Sequence, residues 1–232
     1  MKVETSYDYT QDSTSVNFFS YFLTFVFLLF PTYVIVWVYL KGASKMEKIR
    51  EGFTRVTECL SVYNDFSMIA PAVLKNACER GTRVHRYAEL YANDEYFPDL
   101  DKSDEACGYL ESFKSWFDAV VKRVVSLEMR LYSDVLKLTG AIDAVVVIHG
   151  AEEPVIVDYK TPAMESKSWA LQLSAYKWLY NNDLNTKVKA ERRIALMLKK
   201  DGGKAKVCEY TNTGDLKTYI GALEAYRHFN EC

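Results

Sequence analysis

Asp158 and Lys160 stand one residue apart at the end of EEPVIVDYKTP, residues Glu152 to Pro162. Pro154 to Val157 are apolar, so an interior strand is expected to end in two opposite charges. Upstream, the apolar run Ala141 to Ile148 carries Asp143. The two runs flank HGAEE and read as a hairpin. With the turn centred between Gly150 and Ala151, Asp143 faces Asp158, and facing Cβ atoms lie roughly 4.5–5.5 Å apart. Like charges directly opposite destabilise a hairpin, and Ile142, Val145, Val147, Val155 and Val157 make poor solvent. Two carboxylates there need a cation or a shared proton. Side chains alternate along a strand, which puts Lys160 on the face of Asp158. Lys160 neutralises part of the charge, and a divalent metal would complete the balance. Hard oxygen ligands suit magnesium or manganese. The plainer reading is a structural salt bridge between Lys160 and the aspartates.

The elements that position these residues follow from periodicity. Pro71 to Asn93 is expected as a helix interrupted near Gly81. Ser103 to Val121 is expected as a second helix, with Ser103 as N-cap and an apolar stripe of Ala106, Leu110, Phe113, Phe117 and Val120. The period then changes to strands at Val124 to Tyr132 and in the hairpin. Ser168 to Tyr180 is expected as an amphipathic helix whose Trp169, Leu173, Ala175 and Leu179 read as core. Ile194 to Leu198 and Ala205 to Tyr210 form a second strand pair around DGGK, and Asp215 to Phe229 a closing helix. Helices alternating with strand pairs imply an α/β fold with a mixed sheet.

The 232 residues, 49% hydrophobic, suffice for one globular domain with a core. A net charge of −2 excludes a polycation, so nucleic-acid binding would rest on a local basic face. Five scattered cysteines without CxxC spacing argue against a disulfide framework or zinc site.

One segment breaks the globular pattern. Ser13 to Leu40 contains no charged residue, and a membrane helix needs roughly 20 apolar residues. Glu4, Asp8 and Asp12 precede it, while Lys41, Lys45, Lys48 and Arg50 follow. That asymmetry places the C-terminal domain in the cytoplasm. The expected organisation is a disordered 1–12, a transmembrane 13–40, a basic linker 41–52 and a globular domain 53–232. Translation from Met46 would instead give a soluble cytoplasmic protein.

Four motifs in order now carry a resemblance: GTRVH (Gly81 to His85), GAID (Gly140 to Asp143), DYK (Asp158 to Lys160) and QLSAY (Gln172 to Tyr176). The chain resembles the RecB-like exonuclease branch of the PD-(D/E)XK nuclease superfamily, through its GTxxH, GxxD, (D/E)xK and QxxxY motifs. The resemblance covers roughly Phe53 to Tyr210 and implies a restriction-endonuclease-like core, a central mixed sheet flanked by helices. It implies that Asp143, Asp158 and His85 ligate Mg2+ or Mn2+, with the Tyr159 carbonyl as a further ligand. Lys160 would orient or deprotonate the attacking water, and Gln172 and Tyr176 would fix phosphate or Lys160. The superfamily's proline is replaced by Ile142. No iron–sulfur cluster is expected, because only Cys208 and Cys232 follow the core.

Two further carboxylates are candidates. Glu89 shares a helix face with His85 at i+4, which equally suits an ordinary pair. Glu128 sits on the strand before the hairpin. Lys187, Lys189, Arg192, Arg193, Lys199, Lys200, Lys204 and Lys206 crowd one stretch that could track a phosphate backbone. The implied activity is a metal-dependent DNA exonuclease acting on ends or single strands. The alternative is a catalytically inactive, membrane-tethered DNA-binding or interaction module on the same fold.

Overall fold

The computed structural model describes residues 49–64, 66–95 and 103–230. The hydrophobic segment 13–40, its flanks and Cys232 lie outside them. Among the described residues no helix is long and apolar enough to cross a membrane.

The described chain runs β1 (Thr54–Arg55), α1 (Val56–Ser61), α2 (Pro71–Ala92), α3 (Ala106–Val120), β2 (Val121–Ser133), β3 (Leu138–Ile148), β4 (Val155–Lys160), α4 (Ser168–Asn182), β5 (Arg192–Met197), β6 (Lys206–Glu209) and α5 (Asp215–Asn230). The six strands form one mixed sheet. β3–β4, β5–β6 and β2–β3 pair antiparallel, while β4–β5 and β1–β3 pair parallel. β3 and β4 are buried on both faces, which is why their sequences read as unbroken apolar runs.

Two cores result, one on each face. Against one face, α4, α1 and α5 bring Leu173, Tyr176, Leu179, Leu60, Tyr219 and Leu223 onto Ile142, Val145 and Ile156. Against the other, α2 and α3 bring Val84, Ala88, Leu110 and Phe113 onto Ala144, Val157, Tyr159 and Leu196.

Local chemistry explains most element ends and corrects several expectations. α2 starts with Pro71 in its first turn, where a missing N–H costs nothing, and runs through Gly81 without interruption. Ser103 is not the cap of α3. The helix begins at Ala106, whose N–H donates to the Asp104 carboxylate at 2.8 Å. β2 extends past its expected ends to Val121 and Ser133, paired with β3 almost throughout. β1 and α1 carry too few residues for a periodic signal.

The expected hairpin register is the observed one. Ala144 pairs with Val157, Val145 with Ile156 and Val146 with Val155. One step further, Asp143 and Asp158 face each other where the ladder ends. β1 occupies the same edge of β3 at Leu138 and Thr139. Positions 140–143 therefore form a gap in that edge, between β1 and β4, and the gap holds the acidic residues.

Candidate active site

β4 supplies the site from both of its faces. Its backbone at Tyr159 is clamped from the β3 and α2 side. The Tyr159 N–H donates to Asp143 Oδ2 at 2.6 Å, and its carbonyl faces His85 Nε2 at 3.0 Å. His85 Nδ1 lies 3.4 Å from Asp143 Oδ1. Both ring nitrogens thus face acceptors, an arrangement an imidazolium satisfies completely. The Tyr159 ring packs edge-on against His85 and Phe113, at 5.7 and 5.1 Å between centroids.

The α4 side holds the charges anticipated at the strand end. Lys160 Nζ lies 2.5 Å from Asp158 Oδ2. That ammonium is the partner of the buried oxygen. Lys160 Nζ also donates to Gln172 Oε1 at 3.0 Å. The Gln172 amide donates to Asp158 Oδ1 and meets the Tyr176 hydroxyl, both at 3.0 Å. One amide side chain thereby fixes Lys160 and Asp158 together.

Two neighbours complete this side. Lys160 Nζ sits 5.5 Å from the centroid of the Trp169 ring, a cation–π contact. Trp169 is core, as its helix stripe implies, but its i, i+3 spacing to Gln172 also places it on the lysine. Gly140 lets Tyr176 lie flat against β3: a Cβ there would come within 2.7 Å of the ring.

Glu128 joins the site while staying exposed on its strand. It is opposite Asp143 in the β2–β3 register, between the pairs Leu127–Ala144 and Met129–Ile142. Its backbone adopts φ +45°, rare for a residue other than glycine. One ligand-type atom each from His85, Glu128 and Asp143 lie within 4.8 Å of one another. Asp158 is turned toward Lys160 and Gln172 and is not part of that group. Glu89 lies nearby but bonds Arg86 at 2.6 Å.

The electrostatics follow from this crowding. Burial pushes Asp158 up to about 6, with Lys160 offsetting part of the effect and Asp143 adding to it. Burial raises Asp143 too, but the His85 charge, the Tyr159 N–H and Lys160 outweigh it and hold the carboxyl below its ordinary range. His85 is opposed by burial, yet Asp143 and Asp158 carry it to about 9. Lost hydration and then Asp143 bring Glu128 to about 7. Because Glu128 as a residue is exposed, the repulsion from Asp143 is the firmer of its two causes.

The donor set fits a hard divalent cation: the Glu128 and Asp143 carboxylates converge with the His85 imidazole.

Within the basic stretch, Arg193 is turned away from any phosphate track, and Arg192, Lys200 and Lys206 sit in surface ion pairs. Arg193 is 5% exposed. It donates to the Ala170 carbonyl, to Asn212 O at 2.8 Å and to Asp215 Oδ2 at 2.6 Å. Its place on β5 turns it inward beneath α4 and α5. Arg192 is paired twice to Glu209, at 2.7 and 3.0 Å. Lys200 pairs with Glu105 and Lys206 with Glu165, at 3.1 and 3.0 Å.

A family model of the PD-(D/E)XK nuclease superfamily matches residues 70–222, more than half of the 232 residues. The chain belongs to the PD-(D/E)XK nuclease superfamily. The matched span contains His85, Asp143, Asp158, Lys160 and Gln172, so the site lies inside the family's domain. No curated protein matches the nuclease. Among solved structures it is similar to that of SSO0001, at 16% identity over 78% of each chain with a TM-score of 0.36.

Proposed function

We propose that the protein is a metal-dependent deoxyribonuclease of the RecB-like branch, an exonuclease acting at DNA ends or on single strands. The observation that carries this reading is Lys160, held between Asp158 and Gln172 beside the cluster of His85, Asp143 and Glu128. Asp143, Asp158, His85 and the Tyr159 carbonyl would hold Mg2+ or Mn2+, with Glu128 in reach. The bound cation would supply Lewis-acid charge for the phosphate and lower the pKa of an attacking water.

The chain's own residues do the rest. Lys160 presents its ammonium at the mouth of the site, where it donates to a phosphate oxygen as negative charge develops. Gln172 offers the ammonium a second acceptor and holds Asp158 with its amide N–H, so the pair keeps one geometry. Tyr176 keeps the Gln172 amide oriented. Phosphodiester hydrolysis then breaks one P–O bond, and water provides the oxygen that replaces the leaving strand.

The membrane anchor is part of the same proposal: residues 13–40 would hold the nuclease at the cytoplasmic face. A time course on end-labelled linear, circular and single-stranded DNA with Mg2+ or Mn2+ tests the activity. Degradation of linear and single-stranded substrates, with circular duplex spared, is expected. Equal cleavage of circular duplex would replace the exonuclease with an endonuclease, and no cleavage of any substrate would remove the reading.

A further inference from the structure

Between α1 and α2 the described chain displays an apolar ridge. Tyr63 is 59% exposed, Phe66 49% and Met68 94%, and Val62, Ile69 and Val73 join them. Among described positions from 62 to 73 none is charged; in sequence only Asp65 is. A patch of this kind on a monomer marks a contact surface. The ridge is built rather than loose. Tyr63 N–H donates to Leu60 O and Asn64 N–H to Ser61 O, both at 3.1 Å, and Ile69 N–H to Phe66 O at 2.9 Å.

Its position says what it meets. Asn64 bonds backward to Leu60 O at 3.2 Å and forward to Ser168 Oγ at 3.3 Å. Ser168 opens α4, and the next residue, Trp169, lies against Lys160. The ridge is therefore tied through Ser168 to the first turn of α4, the helix that brings Trp169 and Gln172 to Lys160.

We propose that this ridge is a base-stacking platform that takes the unpaired bases of a single strand, or of a frayed duplex end, as its phosphates enter the site. The proposal rests on the nuclease reading above and adds the means of strand selection. Phosphates need cations, whereas bases offer apolar π-faces, and an uncharged rim with two aromatic rings suits the bases. Stacking there needs unpaired nucleotides, which a closed duplex does not present.

The test uses the full chain in a Lys160→Ala background with Mn2+, so that bound strands stay intact. The probes are a fluorescein-labelled oligothymidylate and an abasic strand of equal length, followed by fluorescence anisotropy. The parent protein should bind the oligothymidylate about tenfold or more tightly than the abasic strand. Adding Tyr63→Ala and Phe66→Ala should abolish that preference while leaving abasic affinity in place. Retention of the preference in the altered protein overturns the platform alone. So does a change confined to co-sedimentation with phosphatidylglycerol vesicles, which would make the ridge a membrane contact. Failure of the parent to bind either strand removes the platform and the nuclease reading together.

Discussion

Gly140 and Tyr176 touch: the missing side chain of one makes room for the ring of the other. A Cβ on Gly140 would lie 2.7 Å from Tyr176 Cε1 and 3.1 Å from Leu179 Cδ1. The ring's hydroxyl meets Gln172, and Gln172 holds Asp158 and Lys160. A glycine on β3 thus bears on a lysine on β4 through a helix on the α4 face. Two motifs far apart in sequence are halves of one packing contact.

Gly140→Ala should therefore cost stability and activity together. Overpacking typically costs about 1–3 kcal/mol, and displacement of Tyr176 should loosen Gln172 and slow hydrolysis about tenfold or more. Chemical denaturation and steady-state kinetics on one preparation check both. Normal activity in Gly140→Ala would show that Tyr176 does not position the amide.

Gln172 gives a sharper contrast. Gln172→Leu leaves Asp158 Oδ1 without its donor and Lys160 without its second acceptor. Each loss of this type costs about 1–3 kcal/mol. Gln172→Glu restores an acceptor for Lys160 but sets a carboxylate against Asp158. Its stability should exceed that of Gln172→Leu at low pH and fall below it as both acids ionise, followed by urea denaturation across pH.

The crowded acids set a pH dependence with a definite sign. Asp158 is raised from 3.8 to about 6, Glu128 from 4.5 to about 7 and His85 from 6.5 to about 9. Each contributes stability that is fully present below its unfolded value and lost as pH rises through its folded value. Asp143 is lowered, so its contribution is lost only as pH falls below 3.8. The metal-free protein should lose the site's contribution progressively between about pH 4 and 9. Manganese, which binds the deprotonated donors, should stabilise increasingly over the same range. Denaturation midpoints in EDTA and in Mn2+ against pH check this, and parallel curves would contradict it.

Arg193 itself can be tested as a structural residue rather than a phosphate contact. Breaking a buried ion pair by removing one partner costs about 3–5 kcal/mol, and Arg193 is held by Asp215, Ala170 and Asn212. Arg193→Met should destabilise the fold strongly. The salt dependence of DNA binding by the folded fraction should keep its slope, whereas a phosphate contact would lower that slope by about one.

The fold was largely legible because its elements are long and its strands apolar on both faces. The hairpin register followed from a turn centred between Gly150 and Ala151, and with it the confrontation of Asp143 with Asp158. Gln172 and Tyr176 were legible as a pair because i, i+4 spacing puts them on one face. What stayed hidden depends on contacts between elements. Nothing local to Arg193 tells that β5 turns it toward Asp215. Nothing near Glu128 announces a left-handed residue within a strand. Gly81 looked like a helix break, yet burial of Val84 and Ala88 against the sheet outweighs the cost of one glycine, about 1 kcal/mol.

Single-turnover hydrolysis of a labelled linear DNA by Lys160→Ala, at saturating Mn2+, bears most directly on the central claim. Removing one preorganised donor to developing charge costs about 10²–10³ in rate. The account predicts a loss of that order, with stoichiometric Mn2+ binding retained by calorimetry because His85, Glu128, Asp143 and Asp158 remain. Wild-type rates in Lys160→Ala would contradict it.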